Sequence, residues 1–159
     1  MEWRPWPHPT TWREFRFDGP PPSARFDHHV ADERRGLLYG ARALVTCVAE
    51  VFQGSRLVDR VGADRCLAGF RLTRSVRLLD LTGARSRARA WARTIYEAYP
   101  RIEGIWYPSS MHGGNPALVL FERAETALPS TPDLDVPLSH PGLLPDLVRA
   151  AGSLGYLIR

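Results

Sequence analysis

The sequence predicts an α+β fold: one domain with a mixed, largely antiparallel sheet and flanking helices. Three observations carry this. Short apolar runs end at glycines or polar turns, notably at residues 36–40, 104–107 and 117–121. Two segments, 42–52 and 84–99, place apolar residues at helical spacing. Strand-like and helix-like segments mix without a strict βαβ rhythm, which disfavours a doubly wound parallel sheet. A chain of 159 residues is long enough for one domain with a core of useful size.

Residues 1–24 form a proline- and tryptophan-rich arm of the same domain (Pro5, Pro7 and Pro9, then Pro20, Pro21 and Pro22) with one short strand near 12–17. Asp18-Gly19-Pro20 closes that strand with turn chemistry. The body of the domain is expected over 25–159, opening with a polar loop over 25–35 and a first core strand over 36–40. A helix follows over 42–52, burying Leu44, Val48, Val51 and Phe52, with Gly54 as its stop. Two strands, 66–72 and 75–81, flank Thr73-Arg74. Thr82 can cap a helix over 84–99, with Ala88, Trp91, Ala92, Ile95 and Tyr99 on one side and Arg85, Arg89 and Arg93 on a solvated one. After the strand pair at 104–107 and 117–121, a connection with Pro129, Pro132, Pro137 and Pro141 leads to a last helix over 143–151. Gly152 and Gly155 bracket its exit into an apolar end, Tyr156-Leu157-Ile158.

Composition narrows the function classes. Hydrophobic content of 44% and charged content of 24% are ordinary for a globular protein. No apolar run approaches the roughly 20 residues that span a bilayer, and Met1 to Pro5 lacks a signal peptide's apolar core, so no membrane association and a cytoplasmic location are expected. Cys47 and Cys66 form no C-x-x-C unit and read as buried thiols rather than a disulfide or zinc framework. The net charge is +4, and all 21 basic side chains are arginines. They are dispersed rather than blocked together, so direct nucleic-acid binding is not expected, while an acidic protein partner remains compatible.

Four places could carry chemistry. On spacing alone, Arg25-Phe26-Asp27 fits either a guanidinium that grips phosphate beside an aromatic ring, or a surface ion pair with Phe26 in the core. Tyr39 ends a strand and presents ring and hydroxyl to a cleft or to the core edge, with Gly40 leaving room for a close ligand. Glu50 interrupts an apolar helix and follows Ala43 and Cys47 on a stripe of small side chains, where a second element could pack closely; the alternative is a solvent-facing carboxylate near the helix end. Ser109-Ser110-Met111-His112-Gly113-Gly114-Asn115 sets hydroxyls, a glycine pair and an amide at the mouth of a strand pair, as a small-molecule pocket requires. No G-x-S-x-G elbow is present, and His112 is too local to Ser109 to make a Ser–His–Asp triad. His28-His29 lacks a second cluster, so no metal site is expected.

Taken in order, four segments resemble the RES domain, a bacterial toxin family. They are Ser23-Ala24-Arg25-Phe26-Asp27, Gly36-Leu37-Leu38-Tyr39-Gly40-Ala41, Val48-Ala49-Glu50-Val51, and Ile105-Trp106-Tyr107-Pro108-Ser109 running through Gly113 to Phe121. The resemblance implies an ADP-ribosyltransferase-like fold and an enzyme that consumes NAD+ as substrate, as a glycohydrolase or a phosphorylase, without a separate cofactor. It places the family arginine at Arg25, its tyrosine at Tyr39, its glutamate at Glu50 and its serine at Ser109, with Ser110 as the neighbouring choice. Glu50, Arg25 and Ser109 are then catalytic, and Tyr39, Phe26, Gly40, Ser110 and Asn115 bind substrate. Met111 departs from the basic residue common in the family. The implied partners are NAD+, inorganic phosphate where phosphate is the acceptor, and an Xre-like antitoxin; a homo-oligomer is left open. An ADP-ribosyltransferase acting on a macromolecule and a non-enzymatic basic binding module are the alternatives.

Overall fold

A four-stranded sheet organises the chain. The computed structural model describes residues 11–17, 26, 35–62, 64–81 and 88–159, for 88–90 the backbone only. In chain order the elements are β1 Leu37–Ala41, α1 Leu44–Phe52, β2 Leu57–Val58, β3 Cys66–Gly69, β4 Leu78–Asp80 and α2 Ala88–Ala98. Then come β5 Gly104–Pro108, β6 Pro116–Phe121, β7 Leu134–Pro137, α3 Leu144–Leu154 and β8 Leu157–Ile158. The main sheet runs β1-β6-β5-β4, antiparallel except for the β4–β5 pair. Two small ribbons, β2 with β8 and β3 with β7, complete an α+β architecture with flanking helices.

The register decides which residues share a face. Tyr39 pairs with Val119 and Ile105 pairs with Val119, so alternate residues of three strands point the same way. On that side Leu37, Ile105, Tyr107, Ala117, Val119 and Phe121 form a core with Phe26 and with Ala92 and Ile95 of α2. On the other side Leu120 packs with Phe15, Ala124 and Leu128. The sheet is therefore buried on both faces, which explains the continuous apolar run of β6. A third core joins Val48 and Phe52 of α1 to Leu147, Ala150 and Ala151 of α3.

Several local expectations shift. The segment near 12–17 makes a single bridge, Arg16 to Leu37, rather than a strand, and the rest of the arm lies outside the described residues. α1 does not stop through Gly54. Its end turns through Arg56, the residue with positive φ (+50°), whose N–H reaches the Phe52 carbonyl at 2.8 Å. Val51 is 62% exposed, because α3 covers the Val48 and Phe52 side of the helix. In α2 the sheet-facing stripe is Ala92, Ile95 and half-buried Tyr96, leaving Trp91 and Tyr99 exposed; Thr82 lies outside the described residues. β3 and β4 do not pair with each other: β3 takes β7 from the proline-rich connection and β4 takes β5. α3 extends to Leu154 and ends through Gly155 at φ +67°, with Tyr156 N–H donating to Ala151 and Gly155 N–H to Gly152. This is the Schellman arrangement, and only glycine enters it without strain. Cys66 is exposed and Cys47 is half-buried, so the expected pair of buried thiols is not found.

The rim of the sheet at Gly36 and Glu122 is closed by a polar cluster. Tyr96 donates its hydroxyl to Glu122, whose other oxygen accepts the Gly36 N–H at 3.0 Å. Burial pushes the Tyr96 hydroxyl up and Glu122 pushes it further, which keeps it a donor. The Arg123 guanidinium lies 3.6 Å from the Tyr96 ring centre and Arg35 lies 4.8 Å from it, an arrangement in which the ring quadrupole faces positive charge.

Three stability outcomes follow. A Cβ at Gly104 would sit 2.4 Å from the Val119 carbonyl oxygen, inside the β5–β6 ladder. Gly104→Ala is expected to cost about 3 kcal/mol in denaturant unfolding. Gly40→Ala, whose nearest neighbour is Leu118 Cδ1 at 3.8 Å, is expected to stay within about 0.5 kcal/mol. Asp59 accepts from Arg159 at 2.9 Å and from Gly62 N–H at 3.1 Å, and these bonds hold its carboxyl down to about 2. A depressed carboxylate stabilises the fold above its unfolded value and loses that contribution as pH falls toward its folded value. The stability gap between the native chain and Asp59→Asn should therefore be present at neutral pH and close between about pH 4 and pH 2.

Candidate functional site

The opposite rim, where β1 ends at Ala41, β5 ends at Pro108 and β6 begins at Pro116, gathers the candidate residues. Pro108 faces Pro116 in the register, and proline has no N–H to continue the ladder. The chain must leave the sheet there, and it does so through the Ser109–Asn115 loop. Gly113 and Gly114 take φ of +54° and +83°, consecutive left-handed positions that only glycine adopts readily. Ser109 N–H donates to the Asn115 carbonyl at 2.8 Å, Gly114 N–H to Ser109 at 2.9 Å, and Asn115 N–H to His112 at 2.9 Å. The Asn115 side-chain amide adds a 2.7 Å bond to the same His112 carbonyl. The loop is thus closed on itself before it meets any partner.

Helix α1 starts three residues after β1 ends, which carries it past this loop. Ser109 Oγ donates to Glu50 Oε1 at 2.5 Å. The same oxygen accepts the backbone N–H groups of Met111 (3.2 Å) and His112 (3.1 Å). Ser109 is wholly buried, at 0% exposure, whereas Ser110 is exposed, so the two serines separate by environment. One turn before Glu50, Thr46 Oγ1 lies 2.9 Å from His112 Nδ1. Two side-chain bonds therefore join α1 to the loop. Cys47, between them in sequence, is pushed up mainly by burial and also by Glu50, with a bond to the Ala41 backbone working in the opposite direction. It remains a thiol and is not an activated nucleophile.

The other sequence candidates arrange as follows. Phe26 is buried, its ring 4.6 Å from that of Tyr107, and its backbone N–H donates to the Tyr39 hydroxyl at 3.1 Å. Tyr39 is half-buried on the Val119 face, while Gly40 points to the Leu118 face. Arg25 lies outside the described residues, as do His28 and His29. Ser109 and His112 share no side-chain bond, so no Ser–His nucleophile is assembled. Among the described residues no group of three or more His, Cys, Asp or Glu side chains is placed to hold a metal ion, and no helix is long and apolar enough to cross a membrane. A groove of about 340 Å3 lies between α1 and α3, lined by Leu44, Val45, Asp146, Arg149, Ala150 and Ser153. It is on the far side of α1 from Thr46 and Glu50 and holds no group beyond the Asp146–Arg149 pair with evident chemistry.

Thr46 and His112 were not among the residues that sequence reasoning selected. The available signal was Thr46 one helical turn before Glu50, on the same face, matched by His112 three residues after Ser109.

Neither the curated proteins nor the solved structures give a significant match to this chain. A family model does, and its match over residues 1–139 takes in β1, α1, the Ser109 loop and β6. With most of its length covered by that match, the chain belongs to the RES domain family.

Proposed function

We propose that this chain is a toxin-type enzyme that degrades NAD+ by cleaving the bond between nicotinamide and ribose. A RES domain is consistent with a toxin-type domain. The observation that carries the finer reading is the Glu50 carboxylate, fixed by the buried Ser109 hydroxyl at the mouth of the β5–β6 pair. Its partner is a neutral hydroxyl, and among the described residues it forms no ion pair. A carboxylate held in place without a cation is suited to developing positive charge on a ligand.

The reaction needs that feature. The glycosidic bond between the pyridine nitrogen and ribose C1′ breaks, its electron pair goes to the nitrogen, and nicotinamide leaves neutral. Positive charge builds on the ribose as in glycoside cleavage, and Glu50 stabilises it. A water or phosphate oxygen then bonds to C1′; with water, the surplus proton passes to solvent. Tyr39, its hydroxyl tied to the Phe26 backbone, offers a ring to the nicotinamide. Phe26 supports that tyrosine from the core. Arg25, next to Phe26 in sequence, would grip the pyrophosphate or the incoming phosphate. Ser109, with its oxygen already in three hydrogen bonds, positions Glu50. The net charge of +4 suits an acidic segment of an Xre-like antitoxin covering this rim.

The test is release of free nicotinamide from NAD+ by the purified chain, with and without phosphate. Turnover is expected in at least one buffer, and none in either would remove the reading. Glu50→Gln should retain the fold and lose about 10²–10³-fold in kcat. Ser109→Ala strands two loop amides as well as freeing the carboxylate, so it should lose about 1–3 kcal/mol of stability and about 10²-fold in kcat.

A further inference from the structure

We infer that His112 contacts the substrate in this same site, set by Thr46 to present its Nε2–H to an acceptor oxygen of the bound dinucleotide; this rests on the NAD+ reading. Thr46 is 1% exposed, and its hydroxyl meets His112 Nδ1 at 2.9 Å and no other partner among the described residues. A buried hydroxyl has to place its proton. The Nδ1 lone pair is the acceptor within reach, so Thr46 donates and Nδ1 accepts. In the neutral ring the proton then resides on Nε2. In the protonated ring Nε2 carries a proton as well. It is a donor in both states.

The direction follows from the ring. Nδ1 is turned to α1, so Nε2 faces away from it. The side chain is partly exposed, and Nε2 has no hydrogen-bond partner among the described residues. The backbone N–H of His112 holds Ser109 Oγ at 3.1 Å, and Ser109 holds Glu50. Two hydrogen bonds thus fix the base of the histidine relative to the carboxylate. The rim offers an anionic acceptor and a donor together. NAD+ presents the complement: a cationic ring and ribose, flanked by acceptor oxygens in the carboxamide and in the ADP-ribose half. The nitrogen that Thr46 leaves free fits either oxygen source.

The experiment is ¹H–¹⁵N correlation of the histidine rings in the full chain, on the alkaline side of the histidine range. His112 is assigned by its loss in His112→Ala. Spectra are taken free, with nicotinamide, with ADP-ribose, and with NAD+ on Glu50→Gln. The native chain should show the Nε2–H tautomer, and Thr46→Val should lose that preference. A shift at His112 with nicotinamide identifies the carboxamide oxygen, and a shift with ADP-ribose identifies the other half; both support the inference. An Nδ1–H tautomer overturns it. Ligand shifts elsewhere in the chain with His112 unmoved overturn it while leaving the NAD+ reading intact. No shift anywhere with any of the three removes the NAD+ reading and the inference with it. In turnover, His112→Ala should raise KM about tenfold, the value of one hydrogen bond, and His112→Gln, which keeps a donor near the Nε2 position, should recover most of that. A KM unchanged in His112→Ala would overturn the inference.

Discussion

One hydrogen bond, from a loop serine to a helix carboxylate, organises the rim where the candidate residues meet. Ser109 Oγ receives the N–H groups of Met111 and His112 and has one hydrogen to give, which goes to Glu50. None of these partners is interchangeable. The two amides reach the oxygen because the loop turns through consecutive left-handed glycines, and the loop starts where it does because Pro108 and Pro116 end the ladder. A hydrogen bond to a charged acceptor contributes about 1.5–3 kcal/mol. Breaking this one also strands two loop amides, so the oxygen matters as much for the loop as for the acid.

The rest of the architecture keeps that rim available. The far rim is closed by Tyr96, Glu122 and two arginines, which tie α2, β6 and the entry to β1 together. Both faces of the sheet are filled, one by α2 and Phe26, the other by Phe15 and the turn after β6. α1 divides its surface: Val48 and Phe52 go to α3, Thr46 and Glu50 to the loop. The helix is thereby anchored by apolar packing on one side and by side-chain hydrogen bonds to the loop on the other. Arg60 reinforces the support, reaching the carbonyls of Leu138 and Ser139 at 3.1 Å and so bracing β2 against the segment that leads into α3.

How much of this was legible in the sequence depended on the range of each signal. The β5–β6 pair was readable because an apolar run, a glycine pair and a second apolar run adjoin. Glu50 was readable because a carboxylate breaks an apolar helix, and α1 indeed turns that stripe toward a second element. Ser109 and Ser110 were indistinguishable, since adjacent hydroxyls differ only in which way the backbone aims them; the loop's own amides make the choice. The Thr46–His112 bond spans distant parts of the chain: the spacing of Thr46 from Glu50 and of His112 from Ser109 was visible, but nothing local says that the two segments meet. The two-residue strands β2 and β8 carry too little periodicity to register, and β7 was hidden in a proline-rich stretch. At the end of α1 composition misled: Gly54 was the obvious stop, but the left-handed turn falls on Arg56.

The burial of Ser109 bears on what a serine at this position can do. A hydroxyl at 0% exposure with three bonds has no free lone pair and no surface to offer a ligand. If it serves the reaction, it does so through Glu50, by holding one carboxylate oxygen and leaving the other to the substrate. The proposed chemistry asks for no more from a hydroxyl. In that chemistry nicotinamide would depart as a neutral molecule and need no acid, and among the described residues neither a serine nucleophile nor a proton relay is assembled. What it needs is a carboxylate that does not move while charge develops beside it. A helix packed on α3 and a loop closed by its own amides hold that carboxylate from both sides.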